Sequence, residues 1–223
     1  MEIYDQNQPS ENLSMDEDLQ VDALDSCLKS MCLLDMIILP EAESWLRVYT
    51  YCPAKNGYKY LINNGSGDTL EIWFIQDGVF VKGFDHESPL NQFGADEWNE
   101  AFFDYIYADV PAPFLNLLTK EDRENTTFCM WYRNTDHQWT QNKWADDDGG
   151  KDYLFMYICK TPLEWKEWAD DYYERQFDLS TVQKIYNTHS VDAENIAILN
   201  PSRDINAALQ EIERFRKTCR GEP

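Results

Sequence analysis

Thr69-Leu70-Glu71-Ile72-Trp73-Phe74-Ile75-Gln76-Asp77-Gly78-Val79-Phe80-Val81-Lys82-Gly83-Phe84 decides the fold of this chain. β-Branched and aromatic residues fill both flanks, and Asp77-Gly78 between them is a two-residue hairpin signal. Reading backwards, the loop Asn63-Asn64-Gly65-Ser66-Gly67-Asp68 separates this pair from a strand over Tyr58 to Ile62. Asn56-Gly57 turns that strand back onto Trp45-Leu46-Arg47-Val48-Tyr49-Thr50-Tyr51. Sequence neighbours usually pair in space, so residues 45–83 predict a four-stranded antiparallel meander. Reading forwards, strands are expected over 126–133 and 153–160, joined by a polar, tryptophan-bearing connection over 134–151.

Helical periodicity takes over on either side. Val21, Leu24, Cys27, Leu28, Met31 and Cys32 recur at helical spacing over 16–33,. Trp98, Ala101, Phe102, Tyr105 and Ile106 form a second stripe, with Asp96 as its expected cap. The last third reads as helix after helix. Thr161-Pro162-Leu163-Glu164 opens one, Ser180 with Gln183 the next, and Ser202 the last, whose stripe is Ile205, Ala208, Leu209, Ile212 and Phe215,. The expected class is α+β: a mostly antiparallel sheet of about five or six strands with helices packed on it. Residues 1–15 are polar and aperiodic and read as a mobile tail, leaving 16–223 as a single domain.

Composition narrows the function classes. Asp and Glu total 41 against 19 Lys and Arg, a formal charge of −22. Nucleic acid is excluded as an ordinary partner, because phosphate binding rests on Lys and Arg. The same field draws in a basic protein, and it also serves plain solubility. The acids concentrate in residues 1–45 (11 acids, Lys29 the one base) and in 146–178 (10 acids, 4 bases). No apolar run approaches the ~20 residues a membrane span needs. Met-Glu-Ile-Tyr-Asp-Gln lacks the pattern of a signal peptide, so a cytoplasmic location with reduced, mostly buried cysteines is expected. No cysteine pair has CxxC spacing, and neither a metal nor a cofactor is expected.

No catalytic motif is complete. The sharpest cluster is Asp85-His86-Glu87-Ser88, just after the fourth strand. A histidine between carboxylates suits a base or a metal ligand; the plainer reading is a solvated turn ended by Pro89. Alternation along an extended segment puts Asp85 and Glu87 on one side and His86 on the other, against a three-ligand site. Asp146-Asp147-Asp148-Gly149-Gly150 looks like half a calcium loop without its alternating ligands or closing glutamate, and an acidic turn is the plainer reading. Trp131, Trp139 and Trp144 flank acidic residues, and for Trp139 and Trp144, in a polar connection, exposure and a contact role are expected.

Three segments carry a resemblance: residues 78–88 (GVFVKGFDHES), 127–133 (TFCMWYR) and 164–174 (EWKEWADDYYE). They look like a family of acidic bacterial proteins whose character is similar to toxin-immunity proteins. The resemblance implies a non-enzymatic, cytoplasmic protein that caps a basic partner through an acidic, aromatic surface. The alternative is a small-molecule-binding or hydrolytic protein with a pocket near the Asp85–Ser88 turn.

Overall fold

The computed structural model describes residues 11–12, 20–54, 56–144 and 146–221. In chain order the elements are β1 (Glu11–Asn12), α1 (Val21–Ile38), a 3-10 segment (Glu41–Leu46), β2 (Tyr49–Ala54), β3 (Gly57–Asn63), β4 (Thr69–Ile75) and β5 (Gly78–Phe84). There follow α2 (Glu100–Ile106), α3 (Ala112–Leu115), α4 (Lys120–Glu124), β6 (Phe128–Arg133), β7 (Gln138–Gln141) and α5 (Lys151–Phe155). The chain finishes with α6 (Pro162–Tyr172), α7 (Leu179–Thr188), α8 (Ala193–Leu199) and α9 (Ile205–Cys219). The class is α+β with antiparallel strand pairing and a helical C-terminal third, as the sequence pattern requires. Among the described residues no helix is long and apolar enough to cross a membrane.

The chain divides into two compact units. The first contains β1 and residues 67–154; the second, as described, contains 20–66 and 155–221. All four expected strands form, with β4 and β5 in the first unit and β2 and β3 in the second, but the first begins at Tyr49 because Trp45 and Leu46 belong to the 3-10 segment. The expected tail over 1–15 lies outside the described residues apart from Glu11–Asn12, which pair antiparallel with Gln141 and Thr140.

In the first unit the strands run antiparallel in the order β1-β7-β6-β5-β4. The β4–β5 turn is Gln76-Asp77 rather than Asp77-Gly78: Ile75 pairs with Gly78, and Thr69 with Phe84. Gly78 takes the positive φ, 146°, that lets the strand leave the turn,. Mid-strand, Glu71 sits opposite Lys82, and their side chains meet at 3.0 Å with almost no exposure. Lys82 also donates to the Asn125 carbonyl at 2.9 Å, so this buried cation has two acceptors,.

Two expectations fail here. The connection over 134–151 contains a strand, β7, which pairs Trp139 with Tyr132. Residues 153–160 form no strand. Asp148 accepts from the amides of Gly150 and Asp152 at 2.9 and 2.8 Å, and so starts α5 instead. The capping carboxylate overrides the β propensity of Tyr-Leu-Phe-Met-Tyr-Ile.

In the second unit α1 is the hub, packed against α7, α8, α9 and β2. It runs to Ile38, beyond the expected 33, and Met31, Cys32, Leu33, Leu34 and Ile37 are wholly buried. Asp35 is buried with them. Its carboxylate accepts from the Tyr49 amide at 2.9 Å and the Tyr173 hydroxyl at 3.0 Å, yet burial still pushes its pKa up to about 7,. A second polar node holds α9. Glu211 bonds Arg47 at 2.6 Å and Arg203 at 3.0 Å, all three side chains being nearly inaccessible. Three helix caps fall two or three residues from the expected ones: Asn99 for α2, Asp178 for α7 and Asp204 for α9. Thr161 caps α6 as expected.

Two stability predictions follow from these nodes. Glu211→Ala strands two buried guanidinium groups and lowers unfolding free energy by roughly 3–5 kcal/mol in urea titration. Asp35 binds its proton more tightly folded (about 7) than unfolded (about 3.9),. Its contribution is therefore complete below the unfolded value and is lost as pH rises through 7. Asp35→Asn keeps the Tyr49 acceptor and lets the Tyr173 hydroxyl turn to accept. Urea midpoints measured across this range should lose a few kcal/mol of pH dependence in that variant.

Candidate functional site

The site grows from the hairpin register of the first unit. Because Thr69 pairs with Phe84, the next residues outward, Asp68 and Asp85, face each other at the strand ends. Asp85 then begins a turn. Its Oδ1 accepts from the Glu87 amide at 2.9 Å, its carbonyl accepts from the Ser88 amide at 3.2 Å, and Ser88 Oγ accepts from the Leu90 amide at 3.1 Å. This is the solvated-turn chemistry expected of Asp and Ser, but Asp85 is itself only 9% exposed,.

His86 swings away from Asp85 along the chain and yet meets Asp68. Asp68 Oδ1 lies 2.6 Å from His86 Nδ1 and accepts from the His86 amide at 2.9 Å. Glu87 Oε1 lies 3.2 Å from Nε2. Tyr153 donates to the other Asp68 oxygen at 3.4 Å. The ring's hydrogen bond to Asp68, with the charges of Asp68, Glu87 and Asp85 around it, holds the imidazole pKa above its usual range,. One oxygen each of Asp68 and Asp85 and a ring nitrogen of His86 lie within 4.8 Å of one another. Alternation along 85–87 argues against three donors from that segment; the third group here, Asp68, is the residue just before β4.

The acidic loop reaches the same place. Thr127 Oγ1 accepts from the Asp85 amide at 3.1 Å and donates to the Gly149 carbonyl at 2.6 Å. Gly150 then packs on the Asp85 carboxylate so closely that a Cβ there would sit 2.2 Å from Oδ2. A Cβ on Gly149 would sit 2.3 Å from the Thr127 carbonyl, and both glycines have positive φ. Asp147 accepts from the Gly149 amide at 2.8 Å and Asp148 from Gly150, so these two carboxylates shape the loop, while Asp146 is exposed.

The tryptophans are redistributed. Trp131 and Trp139 are each 2% exposed, which corrects the expectation that Trp139 stands in solvent. Gln138-Trp139-Thr140-Gln141 alternates as a strand, and its one large apolar residue turns inward,. Trp144 is half-buried, edge-on to Phe102 and Tyr105. The exposed rings beside the Asp85 turn are Phe93 (57%) and Trp98 (39%), which sequence reading missed as contact residues. Phe93 contacts Phe84 and Trp98 edge-on at 6.1 and 5.4 Å, and Asn91 ties this loop to the His86 carbonyl. Between Lys82 and Lys120 the sequence has seven carboxylates and no Lys or Arg; that charge run was a legible signal.

Set against protein-family models, curated proteins and solved structures, the chain matches none of them.

The glycine junction gives a direct test. Gly150→Ala adds a left-handed penalty of roughly 1–2 kcal/mol and an overpacking penalty of roughly 1–3 kcal/mol. The variant should unfold at clearly lower urea. Gly65→Ala, also at positive φ but in open space, should show only the backbone part of that loss.

Proposed function

We propose that this protein is a non-enzymatic binding protein that caps a basic partner protein, in the manner of an immunity protein. The observation that carries this reading is the aromatic pair Phe93 and Trp98, exposed in a segment devoid of Lys and Arg. Glu87, Asp96, Glu97 and Glu100 stand exposed around them. An aromatic anchor ringed by charge is the arrangement that concentrates binding energy in protein interfaces. The surrounding carboxylates and the net charge of −22 speed encounter with a cationic surface,. In this reading the aromatic part of the surface is Phe93 and Trp98, in place of the buried Trp131 and Trp139. A cytoplasmic setting belongs to the same proposal.

The test uses purified basic proteins encoded beside this gene, titrated against the immobilised chain with chelator present. A true partner should bind saturably and weaken as salt rises. Trp98→Ala should cost about 2 kcal/mol, roughly 30-fold in Kd, mainly through faster dissociation. Asp96→Asn and Glu97→Gln together should mainly slow association,. Binding that ignores Trp98→Ala, or no binding to any such protein at low salt, contradicts the proposal.

A further inference from the structure

The junction at the strand ends holds a donor set that a protein-binding surface does not need. Asp68 and Asp85 are buried, His86 keeps its side chain 40% exposed, and one donor atom from each lies within 4.8 Å of the others. Cis ligands on a small divalent cation with bonds of about 2.1 Å sit roughly 3–3.4 Å apart, and trans ligands roughly 4.2 Å. The cluster therefore needs only small side-chain adjustments to close on one ion.

Three features separate it from an ordinary acidic turn. First, Asp85 is nine-tenths buried and its Oδ2 accepts no hydrogen bond among the described residues; no Lys or Arg there pairs with it. Oδ2 is not one of the sealed, unpartnered atoms of the described residues, so it reaches solvent and can take a cation without giving up a hydrogen bond. Second, the set includes an imidazole held from both sides. Glu87 can hold the ring proton on Nε2, leaving the Nδ1 lone pair toward Asp68, which is the outer-carboxylate arrangement of many metal-bound histidines,. The 2.6 Å contact between Nδ1 and Asp68 Oδ1 then opens by a few tenths of an ångström as the ion takes the place of the shared proton. Third, the exposed face of His86 leaves room for water ligands, so the ion keeps open positions.

We propose that Asp68, Asp85 and His86 bind one first-row divalent cation, with Zn²⁺ and Mn²⁺ the best fits to two carboxylates and an imidazole. The site goes beyond the partner-binding reading and does not depend on it, because partner binding is measured with chelator and cation binding without a partner.

Mn²⁺ is the probe, since it has little affinity for the six thiols. Loss of the free-ion electron paramagnetic signal on adding protein should report one saturable site per chain, displaced by Zn²⁺. Asp85→Asn preserves the acceptor for the Glu87 amide, and His86→Asn changes a largely accessible ring; each should weaken that site at least tenfold while the urea midpoint stays near wild type. The combined Asp96→Asn and Glu97→Gln variant, at exposed acids outside the junction, should keep the site. Wild-type binding that is only weak and non-saturating, as for any polyanion, overturns the proposal. So does a saturable site that survives both single variants or disappears in the Asp96→Asn, Glu97→Gln variant.

Discussion

The contact of Gly150 with the Asp85 carboxylate is the constraint on which the candidate site depends. A methyl group at position 150 would lie 2.2 Å from Oδ2, well inside van der Waals contact, so the loop reaches the strand ends only because nothing projects from its backbone. Thr127 completes the closure by accepting from the Asp85 amide and donating to the Gly149 carbonyl. One hydroxyl and two glycines thus join the end of β5, the start of β6 and the acidic loop. The carboxylates of Asp147 and Asp148 take part as caps for this geometry rather than as free charge.

The hairpin at 69–84 was legible because its apolar residues are numerous and its turn chemistry is strong. Its register was one step less legible, and that step hid Asp68. A turn centred on Asp77-Gly78 places Leu70 opposite Asp85, whereas the Gln76-Asp77 turn places Asp68 there. Strand β7 went unread because three of its four residues are polar and only Trp139 marks the inward side. Residues 153–160 favour a strand by local propensity alone, and the Asp148 carboxylate starts a helix over their first residues instead. In each case a single side chain or a one-residue shift decides between two locally reasonable structures, and composition does not resolve such differences.

Acidity proves to be several different things in this molecule. Glu71 and Glu211 are buried and paired with Lys82 and with Arg47 and Arg203, where they fix the position of strands and helices. Asp35 is buried with no ion-pair partner among the described residues and leans on an amide and a tyrosine hydroxyl. Asp178, Asp192 and Asp204 cap helices. The partner-binding proposal draws on exposed carboxylates such as Asp96 and Glu97 beside Trp98. A net charge of −22 is therefore a poor guide to function until the structural carboxylates are set aside.

The junction and its cation are tested together by Mn²⁺-induced broadening of backbone amide signals at substoichiometric ion. Broadening should begin at Asp68, Asp85 and His86 and reach Gly149 and Gly150 at the same ion concentration, ahead of the exposed acids Asp96 and Glu97. Parallel broadening of all exposed acids, or sharp Gly149 and Gly150 signals when His86 has vanished, would contradict the site described here.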